Sequence, residues 1–128
     1  GDAPLHGKAK AWFEGVLSGS ESVGFEWTVL LAFVRLSTRV TIFPTPLSVD
    51  DAFALVHSWL GQPCAVVVQP NERHLAILQG LLEPFGVAGN LVSDAHLAAV
   101  AIEQGAELCS CDSDFARFTG LRWVNPLV

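Results

Sequence analysis

The chain has 128 residues, enough for one hydrophobic core and not for two. Hydrophobic residues make up 51% and charged residues 16%, which excludes a disordered chain, and no apolar run approaches the roughly 18 residues of a membrane span. A net charge of −6 argues against broad nucleic-acid binding through a basic face, although a divalent cation at an acidic cluster would reverse the local sign.

Gly1 to Ser18 reads as a helix, with Leu5, Ala9, Trp12, Phe13, Val16 and Leu17 on one face and Asp2 as a cap. A polar loop follows, then a short strand over Ser22 to Phe25. Glu26 to Ser37 is expected to be helical, with Trp27, Leu30, Leu31 and Val34 facing inward. Arg39 to Pro46 carries two prolines and reads as a loop. Ser48 with Asp51 three residues on resembles a capping box, opening a broadly apolar helix expected over Asp51 to Leu60. That helix shows Phe53, Leu55, Val56, Trp59 and Leu60, more apolar surface than a core alone needs. The β-branched run Cys64 to Val68 predicts a strand covered on both faces. Asn71 is expected to cap the next helix, whose buried stripe would be Leu75, Leu78, Leu81 and Leu82, with His74 a structural residue.

The stretch from Gly89 to Phe115 organises the rest. Asn90 or Ser93 can cap a helix whose apolar face includes Leu91, Ala95, Ala98 and Ile102. Gly105 fits the left-handed position that ends it. Leu108 to Cys111 then reads as a short buried strand. Cys109 and Cys111 share one strand face and are expected to be reduced, buried thiols, poorly placed to bridge. Phe115 and Phe118 are wedges for a one-turn helix, and Leu121 to Val124 is a last strand. The alternation of strands and helices predicts an α/β domain with a parallel sheet.

The candidate chemistry lies at the ends of these elements. Asp112 and Asp114 leave the carboxyl end of the predicted strand, where ligand sites collect in open parallel sheets. Asp94, on the first turn of the preceding helix, can reach the same edge. Crowded carboxylates repel unless a cation neutralises them, and Mg²⁺ or Mn²⁺ takes oxygen ligands. The same residues also suit plainer roles: Asp94 as a partner of the helix dipole, Asp112 and Asp114 as turn residues making Asx bonds.

Ser93-Asp94-Ala-His-Leu-Ala-Ala, followed by Ser110-Cys-Asp112-Ser-Asp114-Phe-Ala-Arg-Phe, resembles the C-terminal half of a PIN domain, and most of all the VapC toxins of bacterial toxin–antitoxin pairs. The Leu-Leu-Ala-Phe-Val-Arg-Leu-Ser-Thr segment and the Gly-Leu-Arg-Trp-Val-Asn-Pro-Leu ending are similar to one VapC subgroup. The resemblance covers nearly the whole chain. It implies a single PIN-like domain over 1–128, three layers of α/β/α around a short parallel sheet, and a cytoplasmic, metal-dependent endoribonuclease. Asp94 and Asp112 would hold Mg²⁺ or Mn²⁺, with Asp114 a further candidate catalytic acid. It also implies a VapB-type antitoxin, an RNA substrate and a homodimer or toxin–antitoxin hetero-oligomer, with no membrane.

Two departures from the family pattern stand out. PIN domains open on a central strand carrying an invariant Asp, so a segment of roughly a dozen residues is expected ahead of Gly1. Many also place an acidic residue three positions before an Arg in the second helix. Here Arg35 matches, as a candidate phosphate contact or as a partner of a site carboxylate, but the acidic position is Ala32. Glu26 is a possible replacement, or simply a helix-end residue. The alternative function is therefore an interaction protein with a weakened site, acting through antitoxin binding and operator repression. A receiver-like reading fails because the only lysines, Lys8 and Lys10, stand at the front of the chain.

Overall fold

The computed structural model describes residues 22–39, 45–86 and 88–126. These fall into two compact units, one ending at Val68 and the other starting at Gln69. The helix expected over Gly1 to Ser18 lies outside the described residues, and the strand expected ahead of Gly1 lies outside the chain.

In the first unit, β1 (Val23–Glu26) pairs in parallel with β2 (Ala65–Val68), in the register Val23↔Ala65 to Glu26↔Val68. Parallel strands need a crossover, supplied by α1 (Trp27–Ser37) and α2 (Val49–Leu60). Gly24 permits the close pairing, since a Cβ there would sit 2.9 Å from Val68 Cγ1. Glu26 caps α1, its carboxylate accepting the Thr28 N–H at 3.0 Å and the Thr28 hydroxyl. The Ser48 hydroxyl accepts the Asp51 N–H at 3.0 Å, so the expected cap of α2 forms, one residue pair earlier than the helix was placed.

The core here is Phe25, Leu30 and Val56, with Phe33, Val34, Trp59 and Leu60 packed around it. Trp59 stacks on Phe25 and meets Phe33 edge-on, with centroids 6.3 and 4.7 Å apart. The expected inner face of α1 is only partly right. Leu30 is buried, but Trp27 is 47% and Leu31 57% exposed. The inward line runs through buried Leu30, half-buried Val34 and buried Ser37; Leu31 is rotated roughly 100° from Leu30, and Trp27 sits at the very start of the helix. Val66 and Val67 are also exposed, so β2 is not covered on both faces as its composition suggested.

In the second unit, α3 (His74–Leu82) runs into a 3₁₀ turn (Glu83–Phe85), and α4 (Leu91–Glu103) leads to β3 (Leu108–Cys109). A second 3₁₀ turn (Ser113–Arg117) then precedes β4 (Trp123–Val124). β3 and β4 are parallel, with Leu108↔Trp123 and Cys109↔Val124. The pairing extends one residue further, the Ser110 N–H donating to the Val124 carbonyl at 3.0 Å. β3 is shorter than predicted because the chain turns at Cys111. The thiols of Cys109 and Cys111 are free, as expected, but both residues are exposed rather than buried.

α4 presents Ala95, Ala98 and Ala99, all fully buried, to a core completed by Leu81, Phe115 and Phe118. It closes in a Schellman turn: Gly105 N–H donates to Ile102 and Ala106 N–H to Ala101, with Gly105 at φ 63°. Its start departs from expectation. Asn90 makes no side-chain cap, and Ser93 lies inside the first turn. Asn71 likewise does not cap α3, which starts three residues later; its Oδ1 takes the Arg73 N–H at 2.8 Å in an Asx turn. Leu81 is buried in α3, whereas Leu75 is 76% exposed. His74 is structural as predicted. It pairs with the buried carboxylate of Glu103, which also accepts the Asn71 N–H at 2.9 Å, and its other ring nitrogen lies 3.0 Å from His96 Nδ1. No helix among the described residues is long and apolar enough to cross a membrane.

Candidate metal centre

Two elements of the second unit converge on the site. α4 carries Asp94 in its first turn, where the positive end of the helix dipole favours a carboxylate. The other two acids leave the carboxyl end of β3. Phe115 and Phe118, both buried, pin the 3₁₀ turn to the core and leave Asp112 and Asp114 at the surface. The turn is braced locally: the Ser110 hydroxyl accepts the Asp112 N–H at 3.0 Å, and Asp112 Oδ1 accepts the Asp114 N–H at 2.9 Å. The Asx bond weighed as the plain alternative is therefore real. It does not compete with a site, because it fixes the direction of the Asp112 carboxylate.

One carboxylate oxygen from each of Asp94, Asp112 and Asp114 lies within 4.8 Å of the others. Among the described residues this is the group of carboxylates, imidazoles or thiols so arranged. Burial, then the charge of Asp112 and more weakly of Asp114, raises the Asp94 pKa above its ordinary 3.8, against an opposing pull from Arg117. The donor set is all oxygen, as a hard cation requires. Ligands of one ion bound at about 2.1 Å lie no more than about 4.2 Å apart, so carboxylates within 4.8 Å of one another are near enough to share a cation. The residues present thus fit a hard divalent cation.

Arg117 belongs to the site and was not singled out from sequence. Its Nη2 lies 3.8 Å from Asp94 Oδ2 and 3.8 Å from Asp114 Oδ2. The available signal was its place three residues after Asp114 in the same short turn. Arg35 is exposed in the last turn of α1, in the other unit, and Ala32 is half-buried on the same helix. Glu26, the possible replacement acid, uses its carboxylate to cap that helix.

A mixed α/β chain with parallel strands and an acidic cluster at a strand end is consistent with a PIN domain, and the PIN-domain family model matches residues 1–121. The chain belongs to that family. Within it, the chain is 50% identical over 121 residues to Ribonuclease VapC37 of Mycobacterium tuberculosis, covering 94% of this chain and 84% of the relative. It is 40% identical over 124 residues to Ribonuclease VapC33 of the same species, covering 97% and 87%. It is 37% identical over 126 residues to VapC ribonuclease Mb2897 of Mycobacterium bovis, covering 98% and 86%. These similarities place it in the VapC group of PIN domains.

Proposed function

We propose that the protein is the toxin of a VapBC-type toxin–antitoxin pair, a metal-dependent endoribonuclease acting in the cytoplasm. The observation that carries this reading is the meeting of Asp94, Asp112 and Asp114 at one strand end. Both units would form one PIN domain, as a family match running from residue 1 to 121 supports. Asp94 and Asp112 would hold Mg²⁺ or Mn²⁺, which when bound supplies Lewis-acid stabilisation of phosphate charge and an acidified water. Asp112 is aimed by its bond to the Asp114 N–H, and Asp94 is fixed by the rigid first turn of α4. Asp114, 61% exposed at its side chain, would serve as a further ligand or as an acid that orients a water. Arg35 contacts substrate phosphate.

The partner is a small VapB-type antitoxin whose basic tail lies over the acidic cluster. The net charge of −6 favours such a tail, and added salt would weaken the block. Exposed Val49, Phe53 and Leu55 on α2 offer a surface for a homodimer or a toxin–antitoxin hetero-oligomer. One observation favours the second reading, a weakened site kept for antitoxin binding and operator repression: Ala32 stands where the family pattern has an acid.

The test uses the full-length protein freed of antitoxin, given RNA with single-stranded loops. Cleavage that needs Mg²⁺ or Mn²⁺ and drops at least 100-fold in Asp94→Asn is expected, in line with the usual weight of a metal's electrostatic role. No cleavage by either protein would favour the interaction protein.

A further inference from the structure

The cation nearest the carboxylates is part of the chain itself. The Arg117 side chain is 39% exposed and is held from several directions. Its Nε donates to the Asp114 carbonyl at 3.0 Å. Its guanidinium carbon lies 6.0 Å from the ring centres of both Phe85 and Phe118, which stack edge to face beside the core. The remaining end of the fork points at two acids at once, 3.8 Å from an oxygen of Asp94 and 3.8 Å from an oxygen of Asp114. At that separation the contacts are ion pairs and not hydrogen bonds. They hold charge near the cluster without fixing any carboxylate oxygen in one donor–acceptor geometry.

Such a placement balances charge cheaply and reversibly. Three negative groups within 4.8 Å repel, and a guanidinium at their edge relieves part of that repulsion. The backbone anchor and the rings hold the guanidinium at the edge of the cluster. A divalent ion entering the same space meets a positive charge that cannot diffuse away.

We propose that Arg117 is a resident counter-cation of the carboxylate cluster: it balances Asp94 and Asp114 in the metal-free protein, competes with the divalent ion, and so sets the affinity of the site. This rests on the reading of Asp94 and Asp112 as metal ligands. Arg117 is on this account a positioning residue, acting on the ligands and not on the reacting atoms.

The experiment is calorimetric titration of full-length protein with Mn²⁺, with no RNA present. Arg117→Gln removes the charge, and Arg117→Met removes it while keeping an apolar stem beside Phe85 and Phe118. Arg117→Lys keeps the charge. Both neutral variants should bind Mn²⁺ roughly three- to tenfold more tightly than wild type, the scale of two partly exposed ion pairs. The Lys variant should stay within about twofold of wild type, and the advantage of the neutral variants should shrink as KCl rises from about 0.05 to 0.5 M. If wild type binds Mn²⁺ and Asp94→Asn does not, while the neutral variants bind equally or more weakly, the role of Arg117 is overturned and the metal site stands. If wild type itself binds no Mn²⁺, the metal site falls and the role of Arg117 with it.

Discussion

Asp94, a ligand on the proposed function, also bears on the stability of the fold. Burial and its acidic neighbours raise its pKa in the folded, metal-free protein above the ordinary value of 3.8. The protonated form is therefore favoured by folding. Its contribution to stability is complete below the pKa of the unfolded chain and is lost as pH rises through the raised folded value. Metal-free protein should lose stability across that window, and Asp94→Asn should flatten the loss. At neutral pH the variant should be more stable than wild type by up to about 1 kcal/mol, the size of a partly exposed charge interaction. Chemical denaturation of both proteins at several pH values measures this; a variant as pH-dependent as wild type would count against it. A ligand must also be deprotonated to hold a cation, so Mn²⁺ affinity should fall as pH drops through the same range. Titrations across pH that gave constant affinity would contradict that. Asp94, Asp112 and Asp114 were legible in the sequence because their spacing around a helix, a turn and a strand resembles a family pattern. Arg117 was not, because what an Arg meets depends on how the chain returns.

The elements that carry these residues answer to packing. The 3₁₀ turn from Ser113 to Arg117 contributes little by itself and is held by Phe115 and Phe118, which are 5% and 4% exposed. Phe118→Ala should cost about 3–5 kcal/mol in urea unfolding, and a cost below 1 kcal/mol would remove the anchoring role. Gly105→Ala tests the end of α4. Nothing lies within 4 Å of the added Cβ, so the expected loss of about 1–2 kcal/mol is strain at φ 63° alone. An unchanged unfolding midpoint would show that the turn can rearrange. Helical period and turn chemistry made α2 and the end of α4 readable, through Ser48 and Gly105. The same period could not say which side of a stripe would find a neighbour, so Leu75, Trp27 and Leu31 were placed inside and stand exposed. Asn71 misled for a related reason: an Asx turn and a helix cap have the same local chemistry, and only the register separates them.

At the scale of the molecule, the net charge of −6 acquires a direction. On the proposed function an acidic chain would approach RNA through a bound cation, and the cluster at the end of β3 is where the described residues gather carboxylates. The α/β class and the parallel pairing were legible from the order of apolar runs and turns, and β1–β2 and β3–β4 follow it. Strand coverage was not, since β-branched composition alone does not reveal which strand lies at an edge. The most direct measurement is anomalous diffraction from crystals of the protein grown with Mn²⁺. A manganese peak should lie at about 2.0–2.3 Å from carboxylate oxygens of both Asp94 and Asp112. A peak bound elsewhere, or none at a concentration that supports RNA cleavage, would contradict the account.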